Sequence, residues 1–224
     1  PNYSIGKTIE QEEIIPPKQN TYINYNIPNV DTSFMAYMDY RCITDNSTIQ
    51  YKMQQQAYTD ENGFRKIGED YCIALGSYYT NYQCGIRFKI TLVNGYSFTG
   101  IIADLKDDRH TDKETHTHIK KNGNVVEYII DKKVMPNEAL NLGNLGWYYE
   151  DLAGQIKTIE RIIEWVNIND VTKAVKNSTQ EEHQAYLKLL TTYDKNKILS
   201  EKEIRHVFRN EFYCMGSKKY YKYN

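Results

Sequence analysis

Residues 86–92 alternate. Ile86, Phe88, Ile90 and Leu92 are apolar, while Arg87, Lys89 and Thr91 are polar. A period of two is what a strand with one buried face requires. The dipeptide Asn94-Gly95 follows at once, and residues 96–104 form a second strand-like run. Asn-Gly between two such runs is a strong hairpin signal, because both residues tolerate the positive φ of a tight two-residue turn. The rest of the chain has to be arranged around this hairpin.

More short strands surround it. Tyr71, Cys72, Ile73, Ala74 and Leu75 form an apolar run closed by Gly76. Asn122-Gly123 precedes a run over 125–130, and 154–159 can supply a last strand. Seven of the twelve glycines fall between Gly63 and Gly123. Five or six short strands in about a hundred residues predict a small closed β-barrel. Upstream, Asn46 or Ser47 can cap a helix over 49–57, with Asp60–Gly63 as a turn. Residues 1–30 hold four of the five prolines and read as an extended arm. From Trp165 to Met215 there is neither Gly nor Pro. Ala185, Leu189 and Tyr193 share a helical face, and Ser200-x-x-Glu203 is a capping box, so residues 164–224 read as a helical appendage with a basic aromatic tail. The expected organisation is α+β: an arm over 1–30, a helix plus barrel over 31–163, and the appendage.

Composition narrows the partners. Lys+Arg 28 against Asp+Glu 29 gives a net charge of -1, which argues against a dedicated nucleic-acid binder. No run approaches eighteen apolar residues, so no transmembrane helix is expected. Tyrosine reaches 21 residues. A Tyr-rich surface suits sugars, peptides or protein partners, although AT-rich codon usage gives the same excess. Cys42, Cys72, Cys84 and Cys214 form no CxxC pair and read as free thiols, with two disulfides the alternative. The start at Pro1 shows no charged or apolar leader, so no signal peptide is expected; a trimmed mature chain is the other reading.

The central strands also carry a family resemblance. In order come Tyr71 to Tyr79, then Gly85 to Ile90, Gly95 to Phe98, Ile102 to Lys106, and Asn124 to Asp131. This order resembles the double-psi β-barrel of the three-aspartate domains found in MltA-type lytic transglycosylases, to which rare lipoprotein A is related. It is most similar to barrel proteins of Gram-positive bacteria and their phages, which carry Asp-x-Lys-x-Asp-x-His-Thr-Asp. Here those positions are Asp104, Lys106, Asp108, His110, Thr111 and Asp112. The match spans about residues 60–163. It departs at one place: the family's first acid falls where this chain has Gly76 and Ser77, while the third is Glu127.

The resemblance implies peptidoglycan cleavage without metal or cofactor, in a phage tail, outside the cell or at the cell wall. A lytic transglycosylase needs one carboxylic acid to protonate the glycosidic oxygen, because the sugar's own hydroxyl attacks. Asp104 follows the apolar run 100–103, and burial at a strand end would raise its pKa into the range of a general acid. Glu127 on a neighbouring strand could share its proton, and His110, Asp108 and Asp112 could tune it. Tyr78, Tyr79, Tyr96 and Tyr128 are the candidate aromatic faces for sugar rings. Each has a plainer reading: Asp104 as a turn former, Asp108–Asp112 as a solvated loop, Glu127 in a cross-strand ion pair. His110, His116 and His118 with Asp108 or Asp112 could bind zinc, but nothing in the spacing fixes that geometry. The competing class is a catalytically inactive barrel serving as a virion subunit. It would touch other subunits through its arm and tail, or pair with its own copies.

Overall fold

A computed structural model describes residues 21–163. Beyond them it describes only the strands at 165–167, 198–200, 211–214 and 219–222. Nine strands form one sheet: β1 (Thr21–Tyr25), β2 (Ala36–Asp39), β3 (Tyr58–Thr59), β4 (Arg65–Ile67), β5 (Asp70–Leu75), β6 (Arg87–Leu92), β7 (Ser97–Leu105), β8 (Glu127–Ile130) and β9 (Ile156–Ile163). Helix α1 (Ile49–Gln56) precedes β3, α2 (Ser77–Thr80) follows β5, and α3 (Asn137–Leu142) follows β8. The protein is therefore mixed α+β, with few helices among the described residues.

The hairpin β6–β7 forms as its pattern predicts. Phe88, Ile90 and Leu92 are fully buried, and Lys89 is exposed. Asn94 fixes the turn by accepting the Tyr96 N–H on its side-chain oxygen, while Gly95 takes φ +92°. Helix α1 is capped by Thr48, whose hydroxyl accepts from Tyr51 N, rather than by Asn46 or Ser47. Asp45 instead accepts from Ser47 and so organises the turn before the cap.

The expected closure of the barrel is not made. The strand order is β1-β9-β6-β7-β5-β4-β3, and β8 pairs with both β5 and β2. One edge of β5 is divided: its first half pairs with β4 through Tyr71 and Asp70, its second half with β8 through Ile73 and Ala74. The sheet forks there and ends at β1, β2 and β3. Two of its pairings are parallel, β5 with β7 and β2 with β8. Residues 21–25, expected in the arm, form the edge strand β1, antiparallel to β9. The rest of the arm, residues 1–20, lies outside the described residues.

The appendage is only partly described. The helical periods expected near 178–193 and 203–210 lie outside the described residues. Around them the backbone is strand rather than helix: Trp165–Asn167 pairs with Ile198–Ser200, and Glu211–Cys214 pairs with Lys219–Lys222. Ser200, expected as a helix cap, stands in a strand. Ladder pairing there overrides a helical period.

One core runs under the sheet. Met35, Phe88, Ile90, Ile101, Ile102, Val125, Val126 and Ile129 are all fully buried. Cys72 and Cys84 lie buried in it, and Cys42 is exposed.

Candidate functional site

Four neighbouring strands place one residue each in a single row. Ala36 of β2 is in register with Glu127 of β8, Glu127 with Ala74 of β5, and Ala74 with Asp104 of β7. Residues in register share a sheet face, so the two carboxylates point the same way with a buried alanine between them. Two strand spacings set their backbones about 10 Å apart. A bulge creates this alignment: Ile73 faces Ile102 but Ala74 faces Asp104, so Ala103 is the extra residue. Without the slip Asp104 would turn to the other face.

Asp104 is half-buried, and its carboxyl is raised to about 6. Desolvation is the larger cause. A backbone hydrogen bond from Leu105 opposes it, and the Glu127 charge adds to it. A carboxyl raised this far keeps a proton on part of its population up to about pH 6, as a general acid needs.

Lys106 lies just beyond, 7% exposed. Its Nζ donates to the side-chain and backbone oxygens of Asn124. Burial pulls this amine down to about 8, while Glu127 pushes it up. Asn124 Nδ2 donates in turn to the Phe34 carbonyl at 2.8 Å and to that of Val126. The sequence signal for Lys106 was its place in the alternation Asp104-x-Lys106-x-Asp108; nothing local marked Asn124.

The loop after β7 has different chemistry. Asp108 accepts from Ser77 Oγ at 2.7 Å and Tyr82 Oη at 2.5 Å, with His116 Nδ1 3.7 Å away. These hydrogen bonds, Tyr82 first, hold its carboxyl below the usual range. Asp112 is buried. It accepts from Thr115 N and Oγ1 and from Thr117 N, all at 2.7 Å, and from Thr117 Oγ1 at 3.3 Å and His118 N at 3.2 Å. Although burial alone would raise it, the donors from Thr115, Thr117 and His118 hold it well below the ordinary range. Asp112 therefore organises the loop rather than tuning Asp104. His110 is exposed in the turn after Asp107, and no hydrogen bond or ion pair joins it to Asp104. Among the described residues no group of three or more His, Cys, Asp or Glu is placed to hold a metal ion.

Gly76, where the resemblance would put an acid, has a steric reason to be glycine. Gly76 ends β5 under the loop, where a Cβ would overlap the carbonyl oxygen of His116. His116 itself takes φ +52°. No aspartate fits at Gly76 while the loop closes there. Ser77 uses its hydroxyl on Asp108 instead.

The four candidate aromatics divide. Tyr128 is fully buried and Tyr79 is 1% exposed, its hydroxyl donating to the Asn26 carbonyl at 3.2 Å. Both rings belong to the core and cannot meet a sugar. Tyr128 packs among Phe64, Tyr71 and Phe98. Tyr78 is exposed and Tyr96 half-buried, stacked on Phe98. No family model, no curated protein and no solved structure matches this chain.

Proposed function

We propose that this protein cleaves glycan strands of peptidoglycan, with Asp104 as the general acid and Glu127 as the neighbouring carboxylate. The observation that supports this most is the row Glu127–Ala74–Asp104, made by a bulge and holding one carboxyl with its pKa raised. Asp104 gives its proton to the glycosidic oxygen as the C–O bond breaks, and the sugar's own hydroxyl bonds to the anomeric carbon and returns its proton to the Asp104 carboxylate, which completes a lytic transglycosylation. The sheet is read as a variant of the double-psi class. Its two parallel pairs, joined through antiparallel β5–β8, support that reading. Action at a Gram-positive wall, from a phage tail or a cell surface, follows from it.

The test is release of soluble muropeptides from purified walls. Wild-type protein should release them, with a rate that falls as the pH rises past about 6, because the acid must be protonated. Asp104→Asn should lower the rate at least about a hundredfold. No release, or an unchanged rate in Asp104→Asn, overturns the proposal.

A second reading has its own support. Gly76 stands where the family has an acid, and Asp112 spends its oxygens on its own loop. An inactive barrel kept as a virion subunit would look like this. It would contact other subunits, or a second copy, through the segments flanking the sheet. Intact walls after long incubation, together with stable co-assembly with tail proteins, would favour it.

A further inference from the structure

Trp147 is 67% exposed, the most exposed of the large apolar side chains described. Its backbone is nonetheless tightly fixed. Asn144, 2% exposed, accepts from Met35 N at 2.9 Å and Gly146 N at 3.0 Å on the same side-chain oxygen. Leu145 N donates to the Met35 carbonyl at 3.0 Å, and Trp147 N to that of Asn144. Gly146 is pressed against the Leu152 carbonyl, 2.8 Å from where a Cβ would stand. A rigid turn that holds its largest apolar side chain in water spends stability on keeping it there, and ligand anchors are built this way.

The turn is also continuous with the acid row. Trp147 packs edge-on against Phe34, with ring centroids 6.4 Å apart. Phe34 lies just outside β2, two residues before Ala36, the first member of the row, and the strand's period of two continued outward would bring it to the same face. Burial agrees: Phe34 and Ala36 are half-buried while Met35 between them is fully buried. The Phe34 carbonyl is further tied to Lys106 through Asn124. From Trp147 the order is therefore Phe34, Ala36, Glu127, the buried Ala74 and Asp104.

We infer that Trp147, backed by Phe34, is a sugar-stacking platform at the β2 end of this row, holding a pyranose ring of the glycan whose glycosidic bond is presented to Asp104. The inference rests on the proposed glycan cleavage and supplies the aromatic face that Tyr79 and Tyr128 do not. The C–H face of an N-acetylhexosamine ring is apolar while its rim is polar. That suits an exposed indole whose neighbours across the row are carboxylates and a buried ammonium.

The test uses Asp104→Asn protein, so that nothing is cleaved, and un-cross-linked glycan strands prepared from peptidoglycan, with chitohexaose as a second probe. Binding is read by calorimetry. Adding Trp147→Ala should weaken binding about tenfold or more, and Trp147→Phe should recover part of the loss. The unfolding midpoint should stay near that of the parent, because the indole buries little surface. Equal affinity in Trp147→Ala overturns the platform and leaves the cleavage proposal standing if walls are still digested. Trp147-dependent binding by a protein that releases no muropeptides leaves the platform standing and overturns cleavage. No binding of either probe by the parent, with no digestion, overturns both.

Discussion

Asp104 and Asp112 are eight residues apart and sit in opposite electrostatic surroundings. Asp112 receives five hydrogen bonds from Thr115, Thr117 and His118, which favour its ionised form. At Asp104 desolvation, with a smaller push from the Glu127 charge, outweighs the one backbone hydrogen bond that favours the ion, so the neutral form is favoured. The same side chain is a fastener in the loop and, on the strand, a carboxyl held toward its neutral form. Donor count separates them together with burial: burial acts upward on both, and only the loop supplies enough N–H and O–H groups to reverse it. A cluster of acids in a sequence is therefore not yet a site. The informative acid is the one whose charge the fold does not satisfy.

The comparison breaks most visibly at Asp112. Replacing it with Ala strands the amides of Thr115, Thr117 and His118 at once. We expect a loss of about 3–5 kcal/mol, read from denaturant midpoints at pH 7. The pH dependence has a definite sign. A carboxyl depressed in the folded state contributes stability above its unfolded pKa, about 4, and that contribution is lost as the pH falls toward the folded value. The gap between wild type and Asp112→Ala should therefore narrow on acidification. A loss below about 1 kcal/mol at pH 7 would show that the loop holds itself together without the carboxylate.

The opposite sign is expected at Asp104. Its folded pKa, about 6, lies above the unfolded one, so the folded state binds the extra proton between about pH 4 and 6. Below that window the group costs nothing. Through it stability falls as pH rises, and above it the full cost applies, about 2–3 kcal/mol for a shift of roughly two units. Asp104→Asn removes the charge and keeps the shape. It should stabilise the protein by about 2 kcal/mol at pH 7.5 and by almost nothing at pH 4, while abolishing wall cleavage. A variant that is no more stable at pH 7.5 would remove the contrast with Asp112.

What could be read from the sequence follows from how local each cause is. The alternation at 86–92, the Asn94-Gly95 turn and the helix after Thr48 are decided within a few residues, and they stand where their patterns put them. That Asp104 lies near a strand end was legible, because the apolar run before it belongs to a strand that ends at Leu105. The strand Thr21–Tyr25 was not, since its partner lies some 140 residues away, where Thr21 meets Ile163, and its own Asn and Tyr carry no period. The bulge at Ala103 leaves no trace in a hydrophobic pattern, yet it decides which face Asp104 occupies. Tyr79 and Tyr128 illustrate the same limit. A tyrosine beside a predicted site reads as a ligand face, and only three-dimensional packing shows that Phe64, Tyr71 and Phe98 have already enclosed Tyr128.

The smallest effect concerns Asp108, which lies between the two extremes. It is half-exposed and held by two hydroxyl donors, Ser77 and Tyr82. Tyr82 is 61% exposed and takes φ +58°, next to Asn81 at φ +46°. A bulky residue pays for that conformation, so something must hold it there, and the hydrogen bond to Asp108 is the contact available to its hydroxyl. Tyr82→Phe removes that donor and leaves the backbone alone. The Asp108 carboxyl should then titrate higher, back toward the ordinary carboxylate range, because Tyr82 is the main cause of its depression. Carbon-detected NMR of the carboxyl follows this directly, and the unfolding midpoint should hardly move for so exposed a contact. Tyr82→Gly should give the same titration with a midpoint at or slightly above that of Tyr82→Phe, since glycine adopts the positive φ freely. If Asp108 titrates unchanged in both variants, its donors do not set its charge, and donor count loses its place as the property that divides the loop from the strand.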